Sequence, residues 1–131
     1  MKANELRIGN YLEMLGKVRK VECISNLPAR KEMYWLTCEN MIDTKIIHFS
    51  PIELNKEWFN KLGMTYYSLP TKSNRSVGYY TVKYGNRFKI NSSDGNYSFV
   101  NFIKDIRYVH ELQNLYFAIT GTELTYENET K

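Results

Sequence analysis

The chain has 131 residues, 43% hydrophobic and 24% charged, a balance that suits one globular domain and excludes a charge-rich disordered chain. Its 18 basic and 14 acidic residues leave a net charge of +4, which permits an anionic partner without naming one. No apolar run approaches the roughly 20 residues of a membrane span, and polar residues interrupt the opening MKANELRIGNYLEML where a signal peptide needs an apolar core, so a cytoplasmic location is expected.

Eleven tyrosines, 6 Phe and 2 Trp favour half-buried sheet, and an α+β domain of mostly antiparallel sheet is expected over residues 1–125, with a polar tail at 126–131. Tyr11 to Met14 and Val18 to Ile24 read as two strands around a three-residue loop, Leu15 to Lys17. That loop would set Glu13 opposite Arg19 and Met14 opposite Val18. A second hairpin joins Met33–Cys38 to Lys45–Phe49 through Glu39–Asp43. These four strands would suit a small barrel, and an open sheet fits the same pattern.

A short central helix is expected from Asn55, whose side chain can accept the first free amides, to Leu62, with Gly63 as the left-handed stop. A start at Ser50, ahead of Pro51 and Glu53, is the alternative. Strands resume at Met64–Leu69, Val77–Lys83, Arg87–Asn91 and Tyr97–Phe102, with a polar loop from Thr71 to Ser76 and a tight turn at Asp94–Gly95. A three-residue loop at Tyr84, Gly85 and Asn86 puts Tyr80, Val82, Phe88 and Ile90 on a core face. Tyr79, Thr81, Lys83, Arg87 and Lys89 then share the other face. At the end, Val109, Leu112, Leu115, Tyr116 and Ile119 recur at helical spacing, Gly121 stands as a helix stop, and Leu124 could pack back on the last turn.

The blocks KANELRIGNYL, PIELNKEWFNKLGM and YVHELQNLYFAITGTEL resemble a group of small proteins of Bacteroides-type gut bacteria, their prophages and mobile elements. That group brings no established activity with it, so the resemblance implies a bacterial or phage origin and supplies no catalytic residue. Gly9 and Asn10, set as a turn before the first strand, are similar to the entry of small Tudor-type or KOW-type barrels.

Little in the chain points to catalysis. Acid–base chemistry has only His48 and His110 to draw on, and neither lies in a motif. Cys23, Cys38 and His48 lack the close ligand spacing of a zinc site, so free thiols and no metal or other cofactor are expected. Phosphate-binding glycine loops and serine-nucleophile motifs are absent from the sequence. Two surfaces carry binding chemistry. Tyr79, Lys83, Arg87 and Lys89 combine a ring for stacking with cations for phosphates, the ingredients for single-stranded nucleic acid. His110, Gln113 and Asn114 form a polar strip one helical turn long, suited to a partner or to a neighbouring loop. The leading expectation is a non-enzymatic module for a protein partner, such as a prophage adaptor. Weak, sequence-tolerant binding of single-stranded nucleic acid is the alternative, and an enzyme of unfamiliar type the third.

Overall fold

The computed structural model describes residues 5–26, 34–38, 44–68, 77–82, 85–93, 95–99 and 105–125. The fold is α+β, built mainly from antiparallel strands. It divides into two compact units, Met1–Glu53 with Tyr108–Glu123 and Leu54–Arg107 with Leu124–Lys131.

In the first unit β1 (Tyr11–Met14), β2 (Lys17–Asn26), β3 (Tyr34–Cys38) and β4 (Thr44–Lys45) form a sheet in that order, curled as a half barrel. The β1–β2 turn departs from the expected one. Leu15 and Gly16 have φ of 53° and 74°, so the loop has two residues, and Glu13 faces Val18 while Met14 faces Lys17. Two successive left-handed residues match the twist of the flanking strands, and this backbone preference outweighs the Glu13–Arg19 pairing that the sequence suggested. Leu15 accepts the strained conformation with its side chain in solvent.

The second hairpin also differs. Met33 and Glu39–Asp43 lie outside the described residues, and the return strand ends at Lys45 rather than Phe49. Ile46–His48 make a single 3-10 turn, closed by the Phe49 amide donating to the Ile46 carbonyl at 3.0 Å. The turn delivers Phe49 into a core of Leu6, Leu12, Val21, Leu36 and Cys38, burial that a continued strand would have to forgo. Ser50 then exchanges two backbone hydrogen bonds with Glu13, at 2.9 and 2.8 Å, so it bridges to β1 instead of starting a helix.

Helix α2 (Val109–Thr120) closes this unit. Its first turn is tied by the Val109 amide to the Ile52 carbonyl at 2.9 Å and by the Glu111 carboxylate, which accepts the Tyr108 amide at 3.0 Å. Gly121, at φ 73°, ends it as expected. The buried positions are Val109, His110, Leu112 and Gln113, whereas Leu115 and Tyr116 are half-buried and Ile119 is 49% exposed. The expected apolar stripe therefore holds only at its N-terminal end, because the helix is fastened to its unit by the first two turns and its last turn is solvated.

The second unit begins with α1 (Lys56–Lys61), where the Asn55 side chain accepts the Trp58 amide at 2.9 Å and Gly63 follows at φ 77°. Strands β5 (Met64–Ser68), β6 (Val77–Val82), β7 (Gly85–Ser93), β8 (Asn96–Phe99) and β9 (Asp105–Ile106) form one antiparallel sheet in chain order. Tyr80 pairs with Ile90 and Thr81 with Lys89, the register that the alternation of side chains implied. One step on, the ladder shifts and sets Val82 opposite Gly85, so Gly85 and Asn86 belong to β7 and not to the expected three-residue loop. Lys83 and Tyr84, like residues 71–76 and 126–131, lie outside the described residues.

The inner face of this sheet carries Tyr66, Tyr80, Ile90 and Phe99 in one row across four strands. Phe59 of α1, fully buried, stacks on Tyr80 at 3.8 Å and meets Tyr97 edge-on at 4.9 Å. Gly78 is required here. A β-carbon at that position would lie 2.5 Å from the Tyr67 carbonyl oxygen and would strike the Tyr66 ring, which crosses the space above it.

Candidate functional site

The outer face of the second sheet collects what the sequence scattered over five strands. Tyr67 pairs with Tyr79, Tyr79 with Asn91, Asn91 with Ser98 and Ser98 with Asp105. Directly opposed residues project to the same side of a sheet, so this row runs unbroken from an aromatic edge to an acidic one. Thr65, Thr81 and Lys89 form the row beside it.

Three of these side chains make one contact group. The Tyr67 and Tyr79 rings stack at 5.4 Å with 22° between their planes, and the Lys89 ammonium sits 4.8 Å from the Tyr79 ring centre. Strand order places Tyr67 on one side of Tyr79 and Lys89 on the other. The Tyr79 ring is thus engaged by its own neighbours, and its side chain is half-buried. Tyr67, 49% exposed, is the ring open to a partner. Sequence reasoning missed it because its place on this face depends on the β5–β6 register, which alternation within one strand does not fix.

Of the expected basic face, Tyr79 and Lys89 do come together, Lys83 lies outside the described residues, and Arg87 lies in β7 with its side chain outside them. Thr81 departs from expectation: it shares the outer face by alternation yet is only 4% exposed.

The strip His110, Gln113 and Asn114 is turned inward on the chain's own N-terminal loop. The Gln113 side-chain oxygen accepts the Tyr11 amide at 2.9 Å, and its amide nitrogen donates to the Gly9 carbonyl at 3.0 Å. The Asn114 oxygen accepts from Arg7 Nε at 3.1 Å and Asn10 Nδ2 at 2.8 Å, and its nitrogen donates to the Glu5 carbonyl at 2.6 Å. Arg7 lies against the Phe117 ring at 4.1 Å and pairs with Glu123 at 2.6 Å. Gln113, with no exposed surface, supplies in one side chain both a donor for the Gly9 carbonyl and an acceptor for the Tyr11 amide. Replacing Gln113 with the similarly shaped Met is expected to cost about 1 to 3 kcal/mol by stranding the Tyr11 amide. Urea unfolding monitored at α2 checks this.

His110 is buried, and among the described residues neither ring nitrogen has a hydrogen-bond partner. The Tyr108 ring stacks on it at 5.9 Å, and a Glu5 carboxylate oxygen is 3.8 Å from Nε2. Burial holds the imidazole below its ordinary pKa despite the opposing pull of Glu111 and Glu5, so the neutral ring is the native form at pH 7. Burial likewise raises the Cys38 thiol, with Arg19 opposing, which makes it a poor nucleophile. Cys23 is exposed, His48 is exposed at the end of the 3-10 turn, and among the described residues no three His, Cys, Asp or Glu side chains are grouped to hold a metal. No helix of the described residues is long and apolar enough to cross a membrane. Compared with protein-family models, curated proteins and solved structures, the chain has no match.

Proposed function

We propose that the chain is a non-catalytic binding module, of prophage or mobile-element type, that engages a protein partner through the outer face of its second sheet. The observation that carries this reading is the Tyr67–Tyr79–Lys89 group, with Tyr67 open at one end of the row. Tyrosine offers a large, stiff contact area at low entropic cost, and short polar side chains around it adapt to hydrogen-bonding partners. Thr65, Asn91 and Asn96 are exposed there, and Ser93 and Ser98 are half-buried.

A single-stranded nucleic acid is the second reading, favoured by Lys89 beside a tyrosine and by the net charge of +4. Two features weigh against it. The Tyr79 ring is engaged by Tyr67 and Lys89, and the row ends in the exposed carboxylate of Asp105, which repels phosphate.

The test is affinity capture from the host lysate, with the Tyr67→Ala and Ile47→Ala variants beside the unaltered protein. Tyr67→Ala is expected to weaken the captured partner by about 2 kcal/mol, the cost of losing an interface anchor. Ile47, exposed in the first unit, is expected to be neutral. Retention at high salt supports the protein reading. Binding of a labelled oligonucleotide that falls with salt, with a log–log slope of about −0.7 per phosphate contact, supports the other. A partner held equally by Tyr67→Ala would overturn this assignment of the surface.

A further inference from the structure

The sheet edges differ in how they are protected. Unpaired backbone along an edge invites another strand, and proteins commonly guard it with charge, proline, a bulge, shortness or a covering segment. In the first unit, β1 is covered by the two hydrogen bonds to Ser50, and β4 has two residues, one of them Lys45. In the second, β9 has two residues, one of them Asp105. Among the described residues, strand β5 has none of these devices. Its five residues, Met-Thr-Tyr-Tyr-Ser, carry no charge and no proline, and they pair with β6 through five consecutive positions without a bulge. Thr65, Tyr67 and Ser68 are exposed, and among the described residues no strand lies on the far side of β5.

We infer that β5 pairs antiparallel with β5 of a second copy of this chain, joining two five-stranded sheets into one about a two-fold axis. Self-pairing suits this edge for two reasons. A two-fold contact sets a surface against itself, so a charged edge would meet its own charge, and this one has none. Side-chain alternation admits only registers in which opposed residues share a face. Centring the axis on Tyr66 satisfies this, with Tyr66 opposite its counterpart, Thr65 opposite Tyr67, and Met64 opposite Ser68. The inner tyrosines then meet across the axis, and the two exposed Tyr67 rings flank it on the outer face, where each is opposed by a small Thr65. Two copies of the tyrosine row would thus lie on one continuous sheet. Self-pairing through the β5 backbone is independent of what the outer face binds.

Sedimentation of the full chain, read together with hydrogen exchange, tests this. The mass is expected to rise toward that of a dimer with concentration, and the amides of Thr65 to Ser68 to exchange more slowly as it does. Thr65→Lys with Ser68→Lys, both at exposed positions, is expected to abolish the rise while circular dichroism stays unchanged. A monomer mass up to about 1 mM, where even a weak contact is half formed, would overturn the inference. So would a dimer whose β5 exchange does not slow, since that dimer uses another surface. If the double variant fails to fold, the exchange of the unaltered chain still decides. Neither outcome depends on Tyr67 holding a partner, so this inference and the proposed function fail separately.

Discussion

Phe59→Ala is expected to remove about 3 to 5 kcal/mol from the stability of the second unit, in the range seen for fully buried aromatic truncations. Phe59 has no exposed surface, lies parallel to Tyr80 at 3.8 Å and takes Tyr97 on its edge at 4.9 Å. Removing the ring opens a cavity walled by two tyrosines, whose placement in a pleated sheet limits collapse into it. The loss exceeds simple area burial because the stacking and edge contacts go with it. Hydrogen exchange reads the effect locally, through lost protection at β6 and β7. A change within the roughly 0.5 kcal/mol typical of surface substitutions would mean that α1 does not pack on this sheet.

Leu112→Ala is expected to cost about 2 to 5 kcal/mol in the first unit. Leu112 is fully buried on the same part of α2 as Val109 and Gln113. The helix is held there by both apolar packing and the amide clamp on Gly9 and Tyr11, so a shift of α2 to fill the cavity would break hydrogen bonds made by the fully buried Gln113 side chain. That coupling places the expected loss toward the upper part of the range. Thermal unfolding decides between this and a solvated helix, for which the melting temperature would scarcely move. Ile119→Ala is the internal control, since its side chain is exposed at the other end of the same helix.

Local chemistry alone made several elements legible. Asn55 and Gly63 bracket α1, and Gly121 ends α2, because a cap or a left-handed stop depends on a few adjacent residues. The Tyr80–Ile90 register followed from alternation, since a one-residue slip would turn a core face outward. Where two local signals competed, the sequence could not weigh them. Charge pairing favoured a three-residue loop after β1, and the backbone of Leu15 and Gly16 took two. Apolar spacing extended the α2 stripe to Ile119, but burial there is set by what packs against the helix, and a one-dimensional pattern does not contain that.

The candidate surface divides the same way. Its ingredients, tyrosine and lysine on alternating positions, were visible in the hairpin. Its open ring, Tyr67, became visible only when the β5–β6 pairing was known. The buried role of Gln113 and Asn114 was likewise out of reach, because the loop they hold lies about a hundred positions away in the chain. Composition, periodicity and caps determine which elements form and which faces are apolar, since those depend on neighbours in sequence. Which tyrosine stays exposed on the outer face, which polar strip is consumed internally and which strand stands at the edge of its sheet depend on long-range pairing, and only the tertiary structure decided them.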